Sequence, residues 1–198
     1  AIKMALLVKA FQKYPNFFDT KVCVTAQHRE MLDQVLDFFV ITPDYDLDLM
    51  KPGQNLYGLT ADIITSMKPV LDNFKPDYVF VHGDTTTTMA GSIASFYSGA
   101  KICHVEAGLR THNKWSPFPE EINRQITGRI CDFHFAPTAT SKANLLQENI
   151  KEDTILVTGN TVIDALIYSL ERVNKEPSDL IKQLVSKIGN KEMILITG

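Results

Sequence analysis

Residues 104–124 read HVEAGLRTHNKWSPFPEEINR and bring together side chains that can do chemistry. The stretch holds three glutamates and two arginines, namely Glu106, Glu120, Glu121, Arg110 and Arg124. Carboxylates accept and return protons, and guanidinium groups bind phosphate-like anions. The stretch is therefore typical either of an active site that moves a proton beside a bound anion or of a solvated loop.

The apolar pattern predicts the elements that position these side chains. Short continuous apolar runs, as at 76–83 and 101–107, are typical of strands that are buried on both faces. Helical patterns follow them at 85–99 and 119–131. Because strands and helices alternate with short connections, we predict an α/β fold: a Rossmann-like parallel sheet with helices on both faces.

The rest of the chain continues this alternation. Further strands are predicted at 21–26, 133–137, 154–159 and 193–197, and further helices at 1–15, 29–39, 59–74, 140–149, 161–173 and 176–189. Turn residues and closely spaced aspartates predict a long loop at 43–58.

Composition narrows the function classes. The net charge of −3 argues against a nucleic-acid partner, and no apolar run is long enough to cross a membrane. No secretory leader is visible. The three cysteines are far apart and lie in or beside apolar stretches, so we interpret them as buried, reduced thiols of a cytoplasmic protein.

Three polar clusters follow predicted strands, and ligands of open α/β sheets bind beyond the carboxyl ends of strands. The clusters are HGDTTTT (82–88), HVEAGLRT (104–111) and TGNT (158–161). Asp84 either caps the helix after it or directs its carboxylate into the cleft. Glu106 is either an exposed loop acid or a cleft carboxylate.

Other polar residues also have two interpretations. Glu120 and Arg124 are four apart on one helix, so they either pair with each other or face a ligand together. His82 and His104 end neighbouring strands and either line the cleft or serve the core; we assign His82 to substrate binding. Thr161 and Asp164 have the spacing of a capping box, and the alternative for this motif is a phosphate-binding turn. Metal-ligand spacings and the common dinucleotide and phosphate-loop motifs are absent.

Seven motifs in order carry a specific resemblance. They are AIKMALLVKAF, VTAQHREMLDQVL, HGDTTTT, HVEAGLRT, SPFPEEINRQITG, HFAPT and TGNTVIDAL. The series resembles the non-hydrolysing UDP-N-acetylglucosamine 2-epimerase family over nearly the whole chain. The resemblance implies one half of a glycosyltransferase-B-like fold, in which two Rossmann-like domains enclose the active site.

The resemblance also implies a domain division. Residues 1–160 form an N-terminal Rossmann-like domain without its first strand, residues 161–178 a hinge helix and linker, and residues 179–198 the start of a second domain. The family's GTRPE and HRRE segments, which flank these residues, are absent. We therefore expect the chain to be part of a longer polypeptide and to be inactive alone.

Members of the family interconvert UDP-GlcNAc and UDP-ManNAc through 2-acetamidoglucal, by loss and return of UDP. The resemblance implies that Asp84, Glu106 and Glu120 are catalytic and that Lys3 and Arg124 contact the substrate. Some bacterial members bind a regulatory UDP-GlcNAc where Gln27 and Glu30 lie here.

The implied enzyme is a cytoplasmic homodimeric isomerase that needs no cofactor or metal and supplies ManNAc units for cell-surface polysaccharide. Two alternatives stay open from the sequence. One is a hydrolysing epimerase that releases ManNAc and UDP, and the other is a non-catalytic nucleotide-sugar-binding module.

Overall fold

A four-stranded parallel sheet carries the polar clusters. The computed structural model describes residues 1–26, 29–49, 51, 53–189 and 191–194. Within them the strands are β1 (Cys23–Val24), β2 (Tyr45–Asp46), β3 (Tyr78–His82), β4 (Lys101–Val105), β5 (Phe133–Ala136) and β6 (Ile155–Val157). Strands β3, β4, β5 and β6 lie side by side in that order, all parallel, while β1 and β2 form a separate parallel pair.

Helices lie between successive strands, as the alternating pattern predicts. They are α1 (Ile2–Gln12), α2 (Arg29–Phe39), α3 (Leu56–Phe74), α4 (Thr86–Ser98), α5 (Glu120–Ile130), α6 (Ala139–Gln147), α7 (Thr161–Lys175) and α8 (Asp179–Ile188). A short 3-10 turn, Glu152–Thr154, precedes β6. The predicted α/β fold is confirmed.

The two faces of β3 are covered by different helices. Successive strand residues point to opposite faces. Val79 packs on the apolar cluster of α3 and α4, which includes Ile63 and Ala90. On the other face, Phe80 lies 5.0 Å from the ring of Phe11 in α1 and 6.0 Å from that of Phe135 in β5. Helices therefore cover both faces of the sheet.

Some predicted boundaries are wrong. The predicted loop at 43–58 contains β2 and the start of α3, because the backbone of residues 44–47 bonds to Val22 and Val24 despite its aspartates. The predicted strand at 21–26 shortens to β1. The predicted strand at 193–197 lies partly outside the described residues, and Met193 and Ile194 have no regular structure.

The first turns of α7 are held by a cap and by packing on α1. Asn160, and not the predicted Thr161, caps α7, since its side chain accepts a hydrogen bond from the Val162 N–H. Ala165 of α7 is buried in one apolar cluster with Ala5 of α1. The predicted division at 160, 178 and 198 stays a prediction.

The cysteine prediction needs correction at one position. All three cysteines are free, but Cys23 is exposed because it lies on the short pair β1–β2, whereas Cys103 is buried. Among the described residues, the helices are too short or too polar to span a membrane.

The turn after β4 rests directly on α6. Gly108 has a φ of +87°, and a Cβ at this position would lie 2.3 Å from the Ser141 carbonyl oxygen. The Asn144 side chain donates to the Gly108 carbonyl at 2.9 Å. Helix α6 therefore holds the turn that carries Glu106.

We expect Gly108→Ala to destabilise the chain much more than Gly99→Ala. Both glycines have positive φ, which costs an alanine about 1–2 kcal/mol, but Gly99 has open space where its Cβ would go. Overpacking against α6 adds about 1–3 kcal/mol for Gly108→Ala only. Urea unfolding measures both losses, and equal losses would contradict the close approach of α6.

Candidate active site

The carboxyl ends of β3 and β4 bring the predicted residues to one edge of the sheet. Gly83 follows β3 with a φ of +70°, and its N–H donates to the Val105 carbonyl at 2.9 Å. The buried His104 ring places Nε2 2.7 Å from the Gly83 carbonyl oxygen. Both ends of the Gly83 peptide are thus tied to β4, which fixes the direction of Asp84.

His104 belongs to this support and not to the cleft surface. Only 1% of its surface is exposed. Burial lowers the pKa of His104 to about 4, against the smaller opposing effect of its bond to Gly83. The ring is therefore neutral at pH 7, and its hydrogen bond holds the Gly83 carbonyl in place.

Three side chains surround the Glu106 carboxylate. Its Oε1 accepts a hydrogen bond from Lys3 Nζ at 2.6 Å and another from Asn160 Nδ2 at 2.8 Å. Its Oε2 lies 3.3 Å from His82 Nε2. Burial by itself would raise the pKa of Glu106, but the Lys3 bond, His82 and the Asn160 bond together hold it below the ordinary glutamate value. The geometry therefore keeps Glu106 ionised.

The backbone of Glu106 is strained in a way that matches a functional position. Its φ is +66°, in the left-handed region that side chains other than glycine rarely adopt. Such strain persists only where surrounding contacts impose it. Here the bonds from Lys3 and Asn160 hold the side chain, and its exposed fraction is 12%.

His82 lies partly buried next to Glu106. Burial lowers the pKa of His82 more strongly than the negative charge of Glu106 raises it, and the nearby Lys3 and the α-amino group of Ala1 lower it further. His82 is therefore neutral at pH 7. Its Nε2 lacks a hydrogen bond of good geometry within the part of the chain that is described.

Asp84 is partly exposed and does not cap α4. Thr85 is the cap, since its hydroxyl accepts from the Thr88 N–H at 3.3 Å. The Asp84 carboxylate lies 2.8 Å from Arg124 Nη2. Burial raises the pKa of Asp84 although Arg124 opposes it, and the negative charges of Glu120 and Glu106 add to the increase. Glu120 and Glu106 are thus both close enough to raise the pKa of Asp84.

Arg124 has a different partner from the one its spacing predicts. Its guanidinium contacts Asp84 and lies 3.6 Å from the Glu121 carboxylate. Its Nε donates to the backbone carbonyl of Glu120 at 3.4 Å. Of the two interpretations of Glu120 and Arg124, the side-chain pair is therefore not the one that the described residues form. The asparagine before it, Asn123, donates to the Asp84 carbonyl at 2.9 Å, so α5 holds Asp84 through two side chains.

The neighbouring glutamates of α5 have separate surroundings. Glu121 is fully buried and accepts hydrogen bonds from the N–H groups of Thr111 and His112, at 3.1 Å each. Gln125 donates a further bond at 2.9 Å. Glu121 therefore organises the loop before α5, while the half-buried Glu120 contributes its charge beside Asp84.

Several other candidates lie away from this cluster. Arg110, part of the acidic and basic stretch, turns to α6 and pairs with Glu148 at 2.6 Å. Glu30 is exposed in the first turn of α2, and Gln27 lies outside the described residues. Arg29, which the sequence reasoning missed, binds Asp46 at 2.6 Å and Asp48 at 2.8 Å.

Asn160 is the contact of Glu106 that sequence reasoning did not single out. The only available signal was its place in TGNT, just beyond the end of β6. Among the described residues, no group of three or more histidines, cysteines or acids is arranged to hold a metal ion.

Comparison with known proteins identifies the family. The sequence model described as UDP-N-acetylglucosamine 2-epimerase matches residues 9–198.

The chain belongs to the UDP-N-acetylglucosamine 2-epimerase family.

Curated members of this family are close in sequence. The chain is 57% identical to the UDP-N-acetylglucosamine 2-epimerase of Salmonella typhimurium strain LT2, over all of this chain and 53% of that protein. It is 55% identical to the enzyme of Escherichia coli strain K12, with the same coverage. The chain thus spans about half the length of the curated relatives it matches.

Solved structures of the family share the fold. The Neisseria meningitidis UDP-GlcNAc 2-epimerase bound to UDP-GlcNAc superposes with a TM-score of 0.86 at 54% identity, over 94% of this chain and 50% of that one. A Methanocaldococcus jannaschii UDP-GlcNAc 2-epimerase in complex with UDP-GlcNAc and UDP gives 0.83 at 31% identity, with the same coverage of both chains. The parallel sheet described above is therefore half of a glycosyltransferase-B-like fold.

The separate surroundings of Glu120 and Glu121 generate a stability prediction. We expect Glu121→Gln to lower the free energy of unfolding at pH 7 by about 2 kcal/mol. The substitution replaces one carboxylate oxygen by an NH2 group, which cannot accept the hydrogen bond that a backbone N–H of Thr111 or His112 donates there. Glu120→Gln, on the adjacent residue, should change it by less than about 0.5 kcal/mol.

The loss caused by Glu121→Gln should depend on pH. Burial would raise the pKa of Glu121, but its hydrogen bonds and Arg124 hold it below the ordinary value. Its stabilisation is therefore complete above the unfolded pKa of about 4.3 and disappears as pH falls through the lower folded pKa. Chemical unfolding from pH 3 to 8 measures this, and a loss independent of pH would contradict an ionised Glu121.

Proposed function

We propose that this chain supplies the acid–base groups of an enzyme that interconverts UDP-GlcNAc and UDP-ManNAc. The observation that carries the proposal is the convergence of Asp84, Glu106 and Glu120 at one sheet edge, next to Lys3 and Arg124. The relatives named as this epimerase, and the two solved relatives with UDP-GlcNAc bound, support the substrate.

The reaction requires proton transfer at C2 of the sugar. This hydrogen is only weakly acidic because no carbonyl is attached to C2. Departure of UDP builds positive charge at C1, which loosens the C2 hydrogen and gives 2-acetamidoglucal. UDP then returns after C2 has been protonated on the opposite face.

The carboxylates meet this requirement by differing in proton affinity. Asp84 has a pKa above the ordinary aspartate value because it is partly buried, whereas the donors around Glu106 keep its pKa below the ordinary glutamate value. Paired groups whose surroundings separate their pKa values are a common arrangement for acid–base catalysis. One group accepts the C2 proton and a second returns one to the other face.

The basic residues serve the departing diphosphate. Lys3 spends one of its three N–H donors on Glu106 and remains one-third exposed, at 33%. Its remaining donors are available to an anion in the cleft. Arg124 is 10% exposed and committed to Asp84, so it acts through the electrostatics of the cluster. Cations placed where negative charge develops stabilise the transition state.

The assembly and location follow from the family resemblance. The enzyme works in the cytoplasm as a homodimer, and its product supplies ManNAc units for cell-surface polysaccharide. Three free cysteines are compatible with a reducing compartment. Light scattering on the purified protein measures the assembly state.

A turnover assay tests the function in a protein that carries this chain at the relatives' full length. We expect UDP-GlcNAc to give UDP-ManNAc, as followed by proton NMR. Asp84→Asn and Glu106→Gln should each lower kcat by about 100-fold or more, since both remove a proton acceptor. Asp72→Asn, in an exposed ion pair with Lys68, is the matched control and should retain full turnover.

Other products would overturn the proposal. Release of free ManNAc with UDP would identify a hydrolysing epimerase. Binding of UDP-GlcNAc without turnover by the unsubstituted protein would identify a non-catalytic nucleotide-sugar-binding module. Circular dichroism establishes that each variant is folded.

A further inference from the structure

Asn160 joins the start of α7 to the Glu106 carboxylate. Its Oδ1 accepts the Val162 N–H at 3.0 Å, which caps the helix, and its Nδ2 donates to Glu106 Oε1 at 2.8 Å. The two bonds require opposite ends of one amide. Exchanging the amide oxygen and nitrogen would break both bonds, because an ionised carboxylate only accepts and an N–H only donates.

The two carboxylate oxygens of Glu106 have different partners. Oε1 receives both donors, Lys3 at 2.6 Å and Asn160 at 2.8 Å. Oε2 lies 3.3 Å from His82 Nε2, which forms no hydrogen bond of good geometry among the described residues, and a Cβ on Gly83 would lie in ordinary contact with Oε2 at 3.6 Å. Oε1 is therefore the held oxygen and Oε2 the one free to exchange a proton.

We propose that Asn160 is a positioning residue that holds Oε1 of Glu106 and so presents Oε2 to the sugar. This inference rests on the proposed function and deepens it, since it assigns the reacting atom. Asn160 acts through Glu106 and needs no contact of its own with the substrate.

The packing of α7 on α1 keeps Asn160 in place beside Glu106. Helices α1 and α7 contact each other, with Ala5 and Ala165 buried in one apolar cluster. Lys3 lies on α1 and Asn160 begins α7, so both donors to Oε1 come from a packed helix pair. The helix pair fixes the held oxygen, while β3 and its turn face the free one.

Asparagine is needed here beyond its value as a cap. Aspartate and serine also cap helices well. An ionised aspartate has no proton to donate to Glu106, and a serine hydroxyl is too short to bond both the Val162 N–H and Oε1. Asn160→Asp and Asn160→Ser therefore keep the cap and remove the bond to Glu106.

The charged and titratable groups that face Glu106 are Lys3 from α1, His82 from β3 and Asp84 from the turn after β3. The α-amino group of Ala1 acts on His82. None of these groups is changed in the Asn160 variants. A change in the titration of Glu106 therefore reports the loss of the Asn160 bond.

The first measurement follows the Glu106 carboxyl carbon by NMR across a pH titration of this chain, with Glu106→Gln used for assignment. We expect the pKa of Glu106 to rise in Asn160→Ser and to rise further in Asn160→Asp, which adds a negative charge beside it. Ser178→Ala removes the cap of α8 and should leave this pKa unchanged. An unchanged pKa in both Asn160 variants would overturn the inference, whether or not the protein turns over.

The second measurement uses a protein that carries the chain at the relatives' full length. We expect Asn160→Ser to lower kcat by roughly tenfold with little change in KM, because misplacement of a reacting group slows chemistry more than binding. The acidic limb of the pH–rate profile should move to higher pH. If the parent protein epimerises and the variant keeps its kcat and profile, the inference fails while the proposed function stands.

Discussion

The partly buried carboxylate of Glu106 is the constraint around which the site is built. Removing a carboxylate from water costs several kcal/mol unless hydrogen-bond donors compensate. Lys3 from α1 and Asn160 at the start of α7 provide that compensation, and His82 from β3 lies beside them. Since these groups come from three distant segments, the carboxylate is stable only when the sheet and its helices are fully assembled.

The other contacts of the site hold a second acid, Asp84, close to Glu106. Gly83 turns the chain after β3, and His104 binds its carbonyl from β4. Asp84 then lies beside Arg124 of α5, whose positive charge limits the mutual repulsion of the acids. The support residues are neutral or paired, so the charge that remains is concentrated at the carboxyl edge of the sheet.

Sequence reasoning predicted which residues meet at the carboxyl edge of the sheet better than it predicted the contacts between them. Strand alternation was enough to place Asp84 and Glu106 together, because parallel neighbours end at one edge. It could not reveal the bond from Asn160, which joins residues 54 apart in the chain. Nor could it separate Glu120 from Glu121, since the loop before α5 decides which of them is buried.

Deuterium at C2 is the most direct test of the central claim that these carboxylates exchange a proton with that carbon. A protein that carries this chain at the relatives' full length is supplied with UDP-GlcNAc in heavy water, and the UDP-ManNAc formed is examined by mass spectrometry and NMR. Our account predicts one deuterium at C2 of the product. UDP-ManNAc that retains its original hydrogen at C2 would contradict it.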